Sequence, residues 1–574
     1  MKKKTGITGS EIICRTLESL GIEVIFGLPG TQNIHFYRSL HHSSIRAITT
    51  TSELAASFMA NGYYRSSGKI AAINTISGPG FTYALSGIAE AFLDSVPMLC
   101  IVGSPQIIPG KKFAHQAIDQ QTIIKPIVKD IFKIANITEI QETLNKAYLS
   151  SLNEEPGPVY IEVDDSVYSG SGVFDQTLIK QYSFFKTDSY RELTEKAIAE
   201  ILKSQRILFY LGQGANQAHA EIRDIVELFN SPVLTTSSGR GILPENHPLL
   251  FPFNVVIRGG GKTMKEMIKS SDLIVALGCK FSFNGSGAFQ FEFPEKKLIH
   301  VDLSSSVLNA NYPAKIAIQD DVNDFISELH NKSKNIKNKV TGWPDGELAE
   351  WRKKAVDEIN GHTEAESYFE GGFAHNPASF FEKLQKHLPE NSIIVTDSGQ
   401  HQMLTRKYYK VPNVRGLIIP SNFQSMGFSI PAAIGAKLAV PDSTVVVIIG
   451  DGGFNISATE LLTALREKIT IKVIILNDKS LGLIRTNQIN KFGFDYSTNL
   501  LNPDYAKLAE SFNIEFVGLS AKKEDHFELN LKSSGITLIE VSLRDSMVFY
   551  KKRSKRVIRR LARKIIDKLI QTPP

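Results

Sequence analysis

Three times along the chain, short runs of β-branched and other apolar residues alternate with amphipathic stretches of helical period, and such alternation allows little besides parallel sheets wound with helices. In residues 1–170 the rhythm runs GSEIICRTLESLG, IEVIFG, SELAASFMANGYYRSSG, IAAINTI, then VPMLCIVG and GPVYIEV. It returns in RILFYLG, PVLTTS, LIVALG and KLIHVDL, and again in SIIVTDSG, TVVVIIGDGG, IKVIILND and TLIEVSL. The expectation is an α/β protein of three doubly wound parallel-sheet domains over 1–175, 190–335 and 365–545, followed by a basic amphipathic tail over 546–574. The joints fall near 170–190 and 331–345, both poor in periodic apolar residues.

Several function classes drop out early. No charge-free run of about 20 apolar residues exists, so a spanning helix is not expected, and the N-terminus lacks the apolar block of a secretory leader. Cys14, Cys100 and Cys279 lie far apart in apolar surroundings, which speaks for buried thiols in a reducing, cytoplasmic setting rather than a disulfide framework. The net charge of +6 is local: Lys551 to Lys568 holds ten Lys or Arg against Asp567, leaving the rest of the chain at −3. Nucleic-acid binding is disfavoured, because no aromatic residue interleaves those charges after Tyr550.

The segment that carries chemistry is V445-V-V-I-I-G-D-G-G-F-N455: a buried strand enters a Gly-Asp-Gly-Gly turn, and a helix-like stretch and the strand IKVIILND follow. Glycines at the carboxyl end of a parallel strand let backbone N–H groups approach a phosphate, and Asp451 can hold a hard cation. Asp478 ends the next strand, and two carboxylates in one crevice with a backbone carbonyl make half of a Mg²⁺ octahedron. On these residues alone, an ordinary strand–turn–helix with solvated acids accounts for the segment equally well.

The arrangement GDGGF…ELLTA…LND resembles the diphosphate–Mg²⁺ signature of thiamine-diphosphate enzymes, and the resemblance extends over nearly the whole chain, most of all to the acetolactate synthase branch. It implies a pyrimidine-binding, a central and a diphosphate-binding domain, with the cofactor shared between subunits of a homodimer or homotetramer. EVIFGLPGTQN (23–33) and TTSELAASFMANGYYRSSGK (50–69) are similar to the opening of the pyrimidine domain, which places the activating glutamate at Glu53 and Gly30 among the cofactor contacts. A carboxyl group there shares a proton with the pyrimidine ring nitrogen. TDSGQHQM (396–403) resembles the diphosphate loop and implies contacts from Gly399, Gln400 and His401. QSMGFSIPAAIGAKLA (424–439) implies Met426 as the large apolar residue beneath the cofactor. KFAHQAID (112–119) resembles the Phe-Gln-Glu stretch, making Gln116 and His115 candidates beside the reacting atoms. Gly450, Gly452, Gly453 and Gly482 complete the cofactor contacts, and Asp451, Asp478 and Ser480 the metal set. Two other glycine-rich stretches are set aside: LGQGANQ (211–217) lacks the third glycine of a dinucleotide fingerprint, and RGGGKT (258–263) has Val256 where a phosphate loop needs glycine.

The decarboxylases of this superfamily carry adjacent histidines and an acidic residue after the first Pro-Gly, whereas here His115 is single and Thr31 follows Pro29-Gly30. The resemblance therefore implies a carboligase: a 2-oxoacid such as pyruvate loses CO₂ and the remaining two-carbon unit joins a second carbonyl. The Trp that acetolactate synthases use in acceptor selection falls at Asn487, which leaves the acceptor open. PVLTTSSGRGILPENHP (232–248) matches flavin-binding relatives, but GCKFSFNGSG lacks the charged residues they place around FAD, so the balance is against FAD. The tail has an apolar stripe at 557, 558, 561, 562, 565, 566, 569 and 570 with cations off it. That pattern over 551–570 suits the anionic inner face of a membrane, as in lipid-activated pyruvate oxidases, and equally suits docking on the body or a neighbouring subunit. A membrane-attached pyruvate oxidase or decarboxylase is the alternative reading.

Overall fold

The computed structural model describes residues 6–105, 111–179, 188–252, 261–334, 342–361, 377–519, 531 and 533–543. The basic tail and its membrane or docking role lie outside the described residues.

Three parallel sheets follow one another along the chain. The first is built from β1 (Val24–Gly27), β2 (Arg46–Thr49), β3 (Ala72–Thr75), β4 (Met98–Gly103), β5 (Ile131–Ile134) and β6 (Pro158–Val163), in the order β2-β1-β3-β4-β6-β5. The second uses β7 (Ile207–Leu211), β8 (Val233–Thr235), β9 (Leu273–Leu277), β10 (Leu298–Asp302) and β11 (Ile316–Gln319), ordered β8-β7-β9-β10-β11. The third uses β12 (Ile393–Thr396), β13 (Leu417–Ile418), β14 (Val445–Gly450), β15 (Lys472–Asn477), β16 (Glu515–Leu519) and β17 (Thr537–Ser542). Its order, β13-β12-β14-β15-β17-β16, repeats that of the first sheet strand for strand. Central strands such as β14 and β15 are unbroken apolar runs because helices cover both faces of the sheet.

The chain reverses its strand order between β1 and β3 in the first sheet and between β12 and β14 in the third. Such reversals open a crevice at the carboxyl ends of the strands, where ligands of open α/β sheets bind. The two terminal domains share one core. Helix α1 (Glu53–Ser67) of the first packs on α4 (Ser429–Ala439) of the third so closely that a Cβ on Gly62 would stand 2.0 Å from the Ala432 carbonyl oxygen. Around that crossing Phe58 meets Phe428 edge to face at 5.3 Å, and Met59, Ile430, Val447 and Ile475 are buried with them. The three cysteines are buried and free.

One stretch read as a linker does more than connect. Ser171–Gly172 pairs antiparallel with Ile7–Thr8, stitching the end of the first domain to its start, and the helix Gly9–Ser19 then begins on a capping box between Thr8 and Glu11. No helix of the described residues is long and apolar enough to cross a membrane.

Candidate active site

Equivalent crevices of the first and third sheets collect nearly all the residues singled out above. In the first, Ser52 caps α1 by accepting from the Ala55 amide at 3.2 Å, and Glu53 follows as the first helical residue, 9% exposed. Helix α2 (Pro79–Leu93) starts against it: Gly78 takes φ +67°, and a Cβ on Gly80 would lie 2.8 Å from Glu53 Oε1. Gly30 leaves β1 with its amide bound to Asn33 Oδ1 at 2.6 Å, and Asn33 Nδ2 reaches Asn74 Oδ1 at 2.8 Å. Gln116, held at φ +55°, backs onto Gly78, where a glycine Cβ would stand 2.9 Å from Gln116 Cβ; Gln32 Nε2 donates to Gln116 Oε1 at 3.4 Å. Glu53, Gly30 and Gln116 are thus gathered around β1 and β3, while His115 is exposed on the approach to them.

In the third sheet, Gly399 opens α3 (Gln400–Tyr408) at φ +145°. The buried His401 ring faces the strand end β14, its Nδ1 2.9 Å from where a Gly450 Cβ would be. Burial pushes this imidazole down to about 4, so it is neutral at physiological pH. Asp451, only 2% exposed, is the first residue of α5 (Asp451–Ser457); Asn502 Nδ2 donates to its Oδ2 at 2.7 Å and to Asn477 Oδ1 at 3.0 Å. Asp478 follows β15 directly, and its Oδ1 accepts from the Ser480 amide at 3.1 Å. Burial, then the neighbouring Asp451 charge, pushes Asp478 up to about 7, and burial raises Asp451 as well. Two carboxyl groups held close against their own repulsion are a donor pair suited to a divalent cation.

The glycines make room beside that pair. A Cβ on Gly482 would lie 2.0 Å from Asp478 Oδ2 and 2.7 Å from Gln400 Oε1, and one on Gly453 would lie 2.5 Å from Asp397 Oδ2. On Gly452 it would sit 3.2 Å from Met426 Cε, so Met426, 38% exposed, overhangs the glycine turn. A cradle that side chains would fill, beside paired carboxylates and under an exposed thioether, fits a diphosphate with its metal. Among the described residues no group of three or more His, Cys, Asp or Glu is placed to hold a metal, so any ion here would take two carboxylates and complete its shell with neutral oxygens and the diphosphate.

Several residues of the site carry no local motif. Gln120, 1% exposed, accepts from the Gly78 amide at 2.8 Å and donates to Tyr160 Oη at 2.9 Å, bracing the turn that brings Gly80 to Glu53. Glu460 is the first residue of ELLTA, a stretch that assigns it no role of its own; it accepts from the Thr51 amide at 3.1 Å, fixing the entry to α1 from the third domain. Asn502 lies 51 positions after Asp451, on a loop with no pattern of its own. Asp397, within TDSGQHQM, is buried, accepts from the Gly427 amide at 2.8 Å, and is pushed up to about 7 by burial.

Comparison with known proteins finds three family models along the chain. The family model "Thiamine pyrophosphate enzyme, N-terminal TPP binding domain" matches residues 7–123, the central-domain model matches 194–329, and the "C-terminal TPP binding domain" matches 397–541. The chain is 31% identical over 536 residues to a probable acetolactate synthase large subunit of Methanococcus aeolicus, covering 89% of this chain and 87% of that one. It is 31% identical over 530 residues to the acetolactate synthase large subunit of Lactococcus lactis, covering 91% and 90%. To the isozyme 1 large subunit of Escherichia coli it is 30% identical over 551 residues, covering 93% and 94%. With a three-domain match in order and full-length relatives, the chain belongs to the thiamine pyrophosphate enzyme family and is a thiamine-diphosphate-dependent enzyme of the acetolactate synthase-like branch.

Proposed function

We propose that the chain is the catalytic subunit of a Mg²⁺-dependent carboligase that decarboxylates a 2-oxoacid, pyruvate in the first instance, and transfers the two-carbon unit to a second carbonyl. The observation that carries this reading is the Asp451–Asp478 pair set in the Gly450, Gly452, Gly453 and Gly482 cradle under Met426. Bound there, thiamine diphosphate supplies the carbon nucleophile that a 2-oxoacid needs for loss of CO₂. The chain's own work is to hold and to move protons. Asp451 and Asp478, with Ser480 beside them, hold the cation; Gly399, Gln400 and the neutral His401 line the diphosphate side; Met426 supports the ring system from below. Glu53 holds a proton against the pyrimidine ring nitrogen, and Gly30 leaves space at the same end. Gln116 and His115 stand on the loop that meets the reacting oxygens.

The two crevices belong to different domains, and large apolar side chains are exposed around both. Tyr83 is 66% exposed near the first; Ile456 and Leu501, at 52% and 98%, lie near the second. A second copy of the chain that covers these patches would bring one chain's Glu53 to the other's Asp451, which supports a homodimer as the working unit. The relatives are called large subunits, consistent with assembly.

FAD is not favoured. A cavity of about 490 Å³ opens at the carboxyl ends of β7, β9 and β10, where a nucleotide would enter such a sheet. Its cationic side chains are already engaged: Arg65 with Asp94, Arg240 with Glu245, Lys280 with Glu155, and Arg415 with the carbonyls of Tyr64 and Arg65.

The test is to incubate the purified chain with thiamine diphosphate, Mg²⁺ and pyruvate and to follow CO₂ and products by mass spectrometry. Acetolactate, formed by protein that shows no visible flavin absorption, is the expected result. CO₂ without a ligated product would overturn carboligation between two pyruvates, and no turnover of any 2-oxoacid would overturn the donor class.

A further inference from the structure

The segment Ile419–Gly427, which carries Met426, is held from both terminal domains. From α2, Asp94 accepts from the amides of Ser421 and Asn422 at 2.9 and 3.1 Å and from Asn422 Nδ2 at 3.0 Å. Asp94 is itself ion-paired with Arg65, which also donates to the Ile419 carbonyl at 2.6 Å. At the far end the Gly427 amide is bound to Asp397. Between these anchors Gln424 takes φ +66°, a left-handed conformation that a side chain rarely adopts, and folds its amide back onto the carbonyls of Pro420 and Ser421 at 2.7 and 2.8 Å. A turn strained in this way needs an anchor next to the strain, and the amide that follows Gln424 has one: Ser425 N donates to Glu90 Oε2 at 2.9 Å.

Glu90 is an unusual side chain to find there. It is fully buried, and its polar neighbour is Ser425, whose amide donates to it and whose hydroxyl lies beside it. The groups that face it are Asp94 on its own helix and Arg65 on α1, whose charge Asp94 already takes. Burial, with Asp94 adding repulsion, pushes Glu90 well up from the usual carboxylate range, and glutamine, which keeps an oxygen for the Ser425 amide, is its closest uncharged mimic.

We propose that Glu90 is a positioning residue: by holding the Ser425 amide from the neighbouring domain, it fixes the strained turn and so sets the height of Met426 over the glycine cradle. A buried polar group kept for packing alone would find a second partner or be replaced by an apolar one. The inference rests on the reading that Met426 supports bound thiamine diphosphate. The helix that carries Glu90 meets Glu53 in its first turn, at Gly80, so the same rigid element touches both crevices.

The test uses the full-length chain carrying Glu90→Ala, Glu90→Gln, Met426→Ala, or Glu90→Ala with Met426→Ala. Hydrogen exchange of the 423–427 amides reads the turn directly, with or without cofactor. In Glu90→Ala it should quicken about tenfold or more, since a buried amide has lost its acceptor. With thiamine diphosphate, Mg²⁺ and pyruvate, kcat should fall by about the same factor with KM little changed, because the residue acts on the cofactor's seat rather than on the substrate. Glu90→Gln should restore both. The double variant should be no slower than Met426→Ala alone, because one change already removes what the other controls. Wild-type exchange in Glu90→Ala, losses that add in the double variant, or failure of glutamine to restore turnover would each overturn the proposal. If Met426→Ala turns over like the wild type, the Met426 reading has failed and takes this inference with it. That case is recognised because the exchange of Glu90→Ala still rises.

Discussion

Glu53→Gln should lower kcat for CO₂ release about 10²- to 10⁴-fold, the range expected when a positioned acid–base group is removed. Thiamine diphosphate affinity and thermal stability should change little. Glu53 is the first residue of α1, seated behind the Ser52 cap, and its Oε1 lies against the glycine that opens α2. Glutamine has the same shape and keeps an oxygen for any donor, so neither the cap nor the Gly80 contact is disturbed. What it cannot do is give and retrieve a proton. A loss in kcat with wild-type cofactor binding by calorimetry assigns the acid–base role to Glu53. Wild-type turnover would remove it, and a parallel loss of binding and melting temperature would make Glu53 a structural residue.

What the sequence made legible, and what it hid, divides along physical lines. Central strands such as VVVIIG and IKVIILN are buried on both faces and read as apolar runs without help. Five edge strands did not: Arg46–Thr49, Ile131–Ile134, Ile316–Gln319, Leu417–Ile418 and Glu515–Leu519. Four of these are partly exposed, with mixed composition such as RAIT and IFKI, and the fifth has two residues. An edge strand has one neighbour and needs less apolar surface, so its pattern fades. The site shows the same division. Glu53, Gly399 and Asp451 stand just past strand ends or at helix starts, where the topology forces side chains into the crevice, and short motifs mark such places. Gln120, Asn502 and Glu90 act by reaching across to another element. Nothing in their own neighbourhoods distinguishes them from surface polar residues, and only the folded chain shows what they hold.

The largest stability effect is expected where the two terminal domains meet. Gly435→Ala would put a Cβ 1.9 Å from the Met59 carbonyl oxygen, 2.7 Å from its carbon and 3.0 Å from its Cα. Every one of these is a backbone atom, so no rotamer change can relieve the clash and the two helices must separate. Alanine in a helix interior gains roughly 0.5–1 kcal/mol over glycine, whereas overpacking a close-packed core costs about 1–3 kcal/mol and more when only backbone can yield. The second effect wins. The apparent melting temperature should therefore fall by about 4 °C or more. Gly346→Ala, at an exposed position of the helix Asp345–Gly361 where an added Cβ meets nothing, should not lower it. The wedge should also reach the chemistry. Helix α1 carries Glu53 at its first residue and α4 follows the Met426 turn, so forcing them apart moves a residue in each crevice, and thiamine diphosphate affinity should fall along with stability. An unchanged melting temperature in Gly435→Ala would show that the crossing is looser than its geometry says. Loss of stability with untouched cofactor affinity would show that the crevices are set by the sheets alone and not by the helices that close over them.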